Sequence, residues 1–209
     1  MSKIFIIILF FIINLYALDS FDAKTISEVK SKYGQRAYMR LEAWDKMLNK
    51  SKEVKTLNKL KLINDFFNKI KYQTDMRHWH KSDYWATPVE FAGTAAGDCE
   101  DYAIAKYFAL LKVGIPQEKL RIAYVKLLRK RTRFEEAHMV LSYYHKANST
   151  PIILDNVNKR LKLVSKRKDL KLIYSFNASG LYKSKNVGKK QTKVGANKLY
   201  KWKNLIDKL

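Results

Sequence analysis

Cysteine is nearly absent from this sequence, since Cys99 is the only one among 209 residues. A single cysteine excludes an internal disulfide. Such a residue is either buried and inert or retained for its chemistry. It also lies far from the N-terminus, which excludes a role as a lipid-attachment cysteine there.

Acidic residues are also scarce, with 19 Asp and Glu against 42 Lys and Arg and a formal net charge of +23. An excess of this size indicates either a basic, solvated surface or an acidic partner. The candidate partners are nucleic acid, an anionic membrane surface and an acidic protein. Net charge bears on association and not on the fold, so these possibilities stay open at this point.

Long apolar runs are missing except at the N-terminus, where residues 4–15 are apolar apart from Asn14. This run follows Lys3, precedes the small residue Ala17, and is shorter than the ~20 residues that a membrane-spanning helix needs. The pattern predicts a cleavable signal peptide over residues 1–17 and export, which for a bacterial protein means the periplasm. An uncleaved membrane anchor is the alternative. Export argues against nucleic acid as the partner.

Internal repeats and long linkers are absent, and the remaining chain has the length of roughly one domain. Apolar residues recur at three- and four-residue steps over residues 24–50 and 54–70, which predicts two helices that pack in a core. Residues 72–97 lack this period and are rich in aromatic residues, which indicates an ordered loop. A third helix is predicted for residues 99–113, because Asp98 before it is a favourable N-cap.

Strands are predicted at residues 121–128, 138–144 and 152–155, where β-branched and aromatic residues are enriched. Helices followed by strands indicate an α+β fold. Residues 184–209 then form a Lys-rich tail that contains an amphipathic pattern centred on Trp202. Such a tail either packs back onto the fold, which is the commoner outcome, or makes a weak contact with a membrane or partner.

The candidate chemistry centres on the stretch GDCEDYAIAK, which places Cys99 at the first turn of a predicted helix. Free backbone N–H groups and the helix dipole at that position lower a thiol pKa and stabilise an oxyanion. His138 opens one predicted strand and Asp155 ends the next. If these strands are antiparallel neighbours, the three side chains form a nucleophile, a base and an orienting group.

Three acids, Asp98, Glu100 and Asp101, flank the thiol. Unpaired carboxylates raise the pKa of a neighbouring thiol and weaken it as a nucleophile. Taken alone, the pattern fits an N-cap and two favourable first-turn acids.

Six stretches carry a resemblance to a known family, over about residues 79–183: DYWATPVEF, GDCEDYAIAKYF, LRIAYVK, AHMVLSYY, ILDN and YSFNASGLY. Together they resemble the LapG family of bacterial transglutaminase-like cysteine proteases of the periplasm. The resemblance implies a papain/transglutaminase-like fold over residues 18–183. It also implies a catalytic triad of Cys99, His138 and Asp155.

The resemblance further implies dependence on Ca²⁺, with Asp98, Glu100 and Asp101 as ligands. A bound calcium ion would take carboxylate oxygens and offset the negative charge around Cys99. In that case the acids around the only thiol have a function beyond capping the helix.

The family resemblance also implies a substrate and a regulator. The expected substrate is a large RTX-type surface adhesin, cut in its N-terminal region at a di-alanine site, which releases it and disperses biofilm. The expected regulator is an inner-membrane receptor for cyclic-di-GMP that sequesters the protease. Two alternatives stay open: acyl transfer to an amine, as in a transglutaminase, and a non-catalytic basic binding module.

Overall fold

The computed structural model describes residues 20–129, 134–147, 149–183, 192–195 and 199–209. The predicted signal peptide, residues 1–17, lies outside them. Within these residues we find no helix whose length and hydropathy would let it cross a membrane. Helices dominate the N-terminal half and an antiparallel sheet the C-terminal half, as the α+β prediction requires.

The N-terminal helices are α1 (Ala23–Tyr33), α2 (Gln35–Lys52) and α3 (Thr56–Phe67). The prediction of one helix over residues 24–50 was wrong, because Gly34 divides it. Gly34 has φ of +78°, and its N–H donates to Lys30 O at 3.0 Å, which closes α1. Glycine is favoured at this conformation because it lacks a Cβ atom.

Residues 72–97 are more regular than the predicted loop. They contain α4 (Asp75–His78), α5 (Pro88–Thr94) and β2 (Ala96–Gly97), which pairs in parallel with β1 (Lys71–Tyr72). The start of α5 is set by a capping box: Thr87 Oγ1 accepts from the Glu90 N–H, and Glu90 Oε2 accepts from the Thr87 N–H. Seven residues are too few to show a helical period, so only these capping signals could have revealed the helix.

The next helix, α6 (Cys99–Lys112), begins directly after Asp98, as predicted. It is followed by a sheet with the strand order β6-β5-β4-β3-β7-β8-β9, in which all neighbours are antiparallel. The strands are β3 (Leu120–Arg129), β4 (Phe134–Tyr143), β5 (Ile152–Leu154), β6 (Lys162–Leu163), β7 (Leu170–Asn177), β8 (Gly180–Lys183) and β9 (Thr192–Gly195). The three predicted strands correspond to β3, β4 and β5, and the other four were not predicted.

The main core lies between the helices and one face of the sheet. On this face α6 packs against β3 and β4, and Ile122, Leu141 and Phe176 join the helical core. The opposite face carries a smaller apolar cluster around Val125 and Val140. Because α6 is pressed between the helices and the sheet, its first turn is held at a definite place beside β4.

The tail ends in α7 (Tyr200–Ile206), which packs back onto the core. Trp202 is buried, stacks on Phe108 with ring centroids 5.8 Å apart, and meets the edge of Phe176 at 5.4 Å. The predicted apolar face is only partly covered, because Leu205 is buried whereas Ile206 is exposed. Packing against the fold, rather than projection into solvent, is therefore the outcome for this part of the tail.

We expect Trp202→Ala to lower the free energy of unfolding by about 3–5 kcal/mol, because it leaves a cavity beside the rings of Tyr107, Phe108 and Phe176. Urea unfolding followed by circular dichroism measures the change. The matched control is Tyr200→Ala, since Tyr200 is 76% exposed on the same helix. The control should stay within about 0.5 kcal/mol of wild type, and an equal loss in both variants would contradict the assigned packing.

Candidate active site

Cys99 is the first residue of α6 and lines a cleft of about 590 Å³. Its Sγ donates to Glu100 Oε2 at 2.9 Å. Burial, reinforced by the negative charge of Glu100, raises the pKa of the thiol well above its usual value, while the backbone N–H of Met139 acts in the opposite direction. In this arrangement the thiol is held as a proton donor to an acid rather than as a nucleophile.

His138 reaches the same cleft from β4, one residue before Met139. It is buried, and its Nε2 lies 2.8 Å from Asp155 Oδ1. Since Nε2 is engaged by the carboxylate, Nδ1 is the ring nitrogen left for another partner. The structure thus places Cys99 and His138 in one cleft.

Asp155 directly follows β5, which lies beside β4 in the sheet. Asp155 is 1% exposed, and its Oδ1 accepts from the Val157 N–H as well as from His138. The Oδ2 atom forms an ion pair with Arg167 Nη2 at 2.8 Å. Burial opposes ionisation of Asp155, but the hydrogen bond and charge of His138 and the charge of Arg167 outweigh it and hold the pKa well below its usual value.

Arg167 is a site residue that sequence reasoning missed. It is 1% exposed and also pairs with Asp169, with Nε 3.0 Å from Oδ1 and Nη2 2.9 Å from Oδ2. Locally it sits in the run KRKD, and such a run usually indicates solvated surface. No local signal distinguishes the buried arginine from its lysine neighbours, because Asp155, the buried partner that links it to the site, is 12 residues earlier in the chain.

The three acids predicted as metal ligands differ in their surroundings. Asp101 is fully buried, and both of its oxygens accept from backbone N–H groups, those of Ala86 at 2.9 Å and Asp98 at 3.2 Å. A Cβ atom at Gly97 would collide with Asp101 Oδ2, so glycine permits this close approach. Asp101 therefore pins the loop before α5 to the start of α6.

Asp98 and Glu100 are freer to bind another group. The buried Oδ1 of Asp98 has no hydrogen-bond partner among the described residues. Burial and then the charge of Glu100 raise the pKa of Asp98 to about 10. Acids placed so close together in a buried site favour either a shared proton or a cation.

Two further acids, Asp75 and Asp83, lie beside this pair and were not predicted. Ligand oxygens of Asp75, Asp98 and Asp101 all lie within 4.8 Å of one another, as do those of Asp75, Asp83 and Glu100. Asp75 is buried, and its Oδ1 has no hydrogen-bond partner in the described part of the chain. Two unpartnered buried oxygens in a cluster of carboxylates form the kind of oxygen donor set that Ca²⁺ prefers.

The cleft is walled by aromatic side chains as well as by acids. Its aromatic lining residues are Tyr72, Trp85, Tyr124, Tyr174 and Tyr200. Since Tyr200 and Lys201 belong to α7, the tail contributes part of the wall. Lys201 also forms an ion pair with Asp83, another residue that lines the cleft.

The depressed pKa of Asp155 predicts a pH effect on stability. An acid whose pKa is lowered in the folded state stabilises the fold at pH values above its unfolded-state pKa, which is about 3.9. This contribution is lost as the pH falls through the folded-state pKa. Below about pH 4 the free energy of unfolding should therefore fall more steeply in wild type than in Asp155→Asn. Urea unfolding at a series of pH values measures both slopes, and parallel curves would contradict the assigned charge.

Comparisons with known proteins bear on the family and the fold of the chain. Residues 25–175 match the model of a family described as bacterial transglutaminase-like cysteine proteinase, and this stretch includes Cys99, His138 and Asp155. The calcium-bound structure of Legionella pneumophila LapG is 37% identical, with a TM-score of 0.75, and the match covers 90% of this chain and 99% of that chain. The EGTA-treated form of that protein is 37% identical, with a TM-score of 0.77 and coverage of 90% and 97%.

No curated protein sequence matches the chain. The family match nevertheless spans most of the sequence, and the structural matches cover nearly all of it. The predicted family and the predicted transglutaminase-like fold are both confirmed. The chain therefore belongs to the family of bacterial transglutaminase-like cysteine proteinases.

Proposed function

We propose that the protein is a calcium-dependent cysteine endopeptidase in which Cys99 is the nucleophile, His138 the general base and Asp155 the orienting acid. The observation that carries the proposal is the hydrogen bond of 2.8 Å between His138 and Asp155, in a cleft that also holds Cys99 at a helix start. Membership of a cysteine proteinase family supports the same assignment.

The proposed acylation step begins with transfer of the Cys99 proton to His138. Because Nε2 is held by Asp155, the proton goes to Nδ1, and the thiolate then attacks the scissile carbonyl carbon. The N–H of Cys99, at the start of α6, is the proposed hydrogen-bond donor to the resulting oxyanion. The protonated imidazole then gives its proton to the leaving amine, and a thioester with Cys99 remains.

In deacylation, His138 takes a proton from a water molecule, and the resulting hydroxide attacks the thioester carbonyl. The imidazole returns this proton to the sulfur as the acid product leaves. Throughout, Asp155 accepts the Nε2 hydrogen and keeps the ring in one tautomer and one orientation. Arg167 holds the other oxygen of Asp155, so the carboxylate stays ionised and cannot rotate freely.

The acidic cluster fits calcium because it offers oxygen atoms, two of them buried and unpartnered in the described chain. Asp75, Asp98 and Glu100 are the proposed ligands, with Asp83 close enough to contribute. Asp101, a predicted ligand, also lies in the cluster, although both its oxygens already accept backbone hydrogen bonds. Bound there, calcium supplies positive charge that offsets the carboxylates around the thiol. The calcium-bound form of Legionella pneumophila LapG supports this part of the proposal.

The proposed substrate is a large RTX-type surface adhesin, cut in its N-terminal region at a di-alanine sequence so that it is released and biofilm disperses. The proposed compartment is the periplasm, and the proposed regulator is an inner-membrane receptor for cyclic-di-GMP that sequesters the enzyme. These parts rest on the resemblance to the LapG family. The net charge of +23 suits an acidic adhesin, because opposite charges speed encounter.

We expect residues 19–209 to cut an N-terminal fragment of the host's largest adhesin at one site when calcium is present. The cut should be lost with a calcium chelator, with Cys99→Ala, and when the di-alanine of the fragment is replaced. Gel electrophoresis and mass spectrometry of the products measure it. A cut that persists in Cys99→Ala would contradict the assigned nucleophile. Incorporation of a labelled amine in place of hydrolysis would favour the transglutaminase reaction.

Calcium binding can be tested without activity. Calcium should raise the melting temperature of the wild-type protein, because a ligand that binds only the folded state stabilises it. Titration calorimetry on Asp75→Asn should show calcium affinity reduced by at least about tenfold, since a buried ligand is lost. The matched control is Asp65→Asn, whose carboxylate pairs with Lys61 on the surface. Equal affinity in both variants would place the calcium elsewhere.

A further inference from the structure

A buried amide links the end of α3 to the residue that holds His138. Asn68 follows α3, is 6% exposed, and uses both ends of its side chain. Its Nδ2 donates to the backbone oxygen of Asp155 at 2.9 Å, and its Oδ1 accepts from Lys106 Nζ at 2.8 Å. The amide therefore joins the Lys106 amine to the backbone of Asp155, two groups that no strand pairing connects.

Lys106 lies on α6, two turns after Cys99, and its side chain is fully buried. Burial lowers its pKa to about 7, and the nearby charge of Asp155 acts in the opposite direction. A buried amine is costly, and an apolar residue of the same length would fill this space more cheaply. In either protonation state the amine keeps an N–H to donate to Asn68, so the contact does not depend on its charge.

A second asparagine, Asn64, supports the same loop from one turn earlier on α3. Its Nδ2 donates to Lys159 O at 2.7 Å, so α3 holds the loop at residue 159 as well as at Asp155. Of these two asparagines, only Asn68 also bonds to α6, through Lys106. The path from the nucleophile helix to the orienting acid is thus Lys106, Asn68 and the backbone of Asp155.

We propose that Lys106 and Asn68 are positioning residues that set the distance between the nucleophile helix and Asp155, and through it the orientation of His138. The inference rests on the proposed catalytic function, because it concerns the pairing of the Cys99 thiol with the imidazole. Small displacements of a catalytic group cost large factors in rate, which gives a reason to retain an expensive buried lysine.

The test is the rate at which iodoacetamide alkylates the full exported chain in calcium-containing buffer. Cys99 is the only cysteine, so the rate reports one thiol and needs no substrate. His138→Ala gives the rate of the unpaired thiol. Lys106→Met removes the donor at the helix end of the link, and Asn68→Asp keeps the side-chain shape but removes the donor to Asp155. Both variants should slow alkylation by about ten- to a hundredfold.

The melting temperature of each variant shows whether a slower alkylation comes from a displaced site or from a destabilised fold. Lys106→Met should melt at or above the wild-type temperature, because it removes a buried amine, yet it should react slowly. Lys59→Met is the matched control, since Lys59 Nζ also ties α3 to the end of α6, through Val113 O at 2.8 Å, but does not contact Asp155 or Asn68. This control should react at the wild-type rate.

A folded Lys106→Met that is alkylated as fast as wild type would overturn the inference. If Lys106→Met fails to fold, Asn68→Asp decides by the same criterion. Kinetics on a cleaved peptide should show a lower kcat with KM unchanged in both variants. A wild-type protein that reacts quickly with iodoacetamide but cuts no adhesin fragment would count against the proposed substrate and leave the link standing.

Discussion

Asp155 carries a negative charge in a place that water does not reach, and the groups around it have to balance that charge. His138 and the Val157 N–H occupy one oxygen, and Arg167 pairs with the other. These partners come from β4, from the loop after β5 and from the turn before β7. The carboxylate is therefore stable only when these parts of the sheet lie in their native arrangement, which couples formation of the site to formation of the fold.

The need to balance buried negative charge also explains the acids near Cys99 in a strongly basic chain. Negative charge is concentrated where α6 begins, although the protein as a whole has a large positive charge. One of these acids, Asp101, is satisfied by backbone N–H groups and pins two segments together. Asp75 and Asp98 keep buried oxygens without partners among the described residues, and Glu100 instead holds the thiol. A bound cation would coordinate the free oxygens of Asp75 and Asp98, and it would compete with the thiol for the carboxylate of Glu100.

The C-terminal helix shows that a basic segment can be structural. Trp202 completes an aromatic cluster with Phe108 and Phe176, and the residues just before it form a wall of the cleft. Because Phe108 lies on α6, this packing also supports the nucleophile helix. The cleft is thus lined by residues from β1 through to α7.

The sequence alone determined the local features of the site. Asp98 and the residues after it specify a helix that starts at Cys99, because capping and helix dipole act within one turn. Enrichment in β-branched and aromatic residues predicted β3 and β4, and the six family stretches identify the family. Helices of four or seven residues were not predicted, because a period cannot be recognised over so short a length. The break at Gly34 was not predicted because the four-residue apolar spacing continues across it, from Tyr33 to Ala37.

Only the tertiary structure decided which distant residues complete the site. Arg167 lies in a run of basic residues, Asp75 in an aromatic loop, and Lys106 on a helix whose other buried residues are mostly apolar. Their roles come from partners far away in the chain, brought close by strand register and by the packing of α3 on α6. A local sequence pattern does not indicate such contacts. Charged groups need these partners only because the folded core removes their hydration, and that happens only in the tertiary structure.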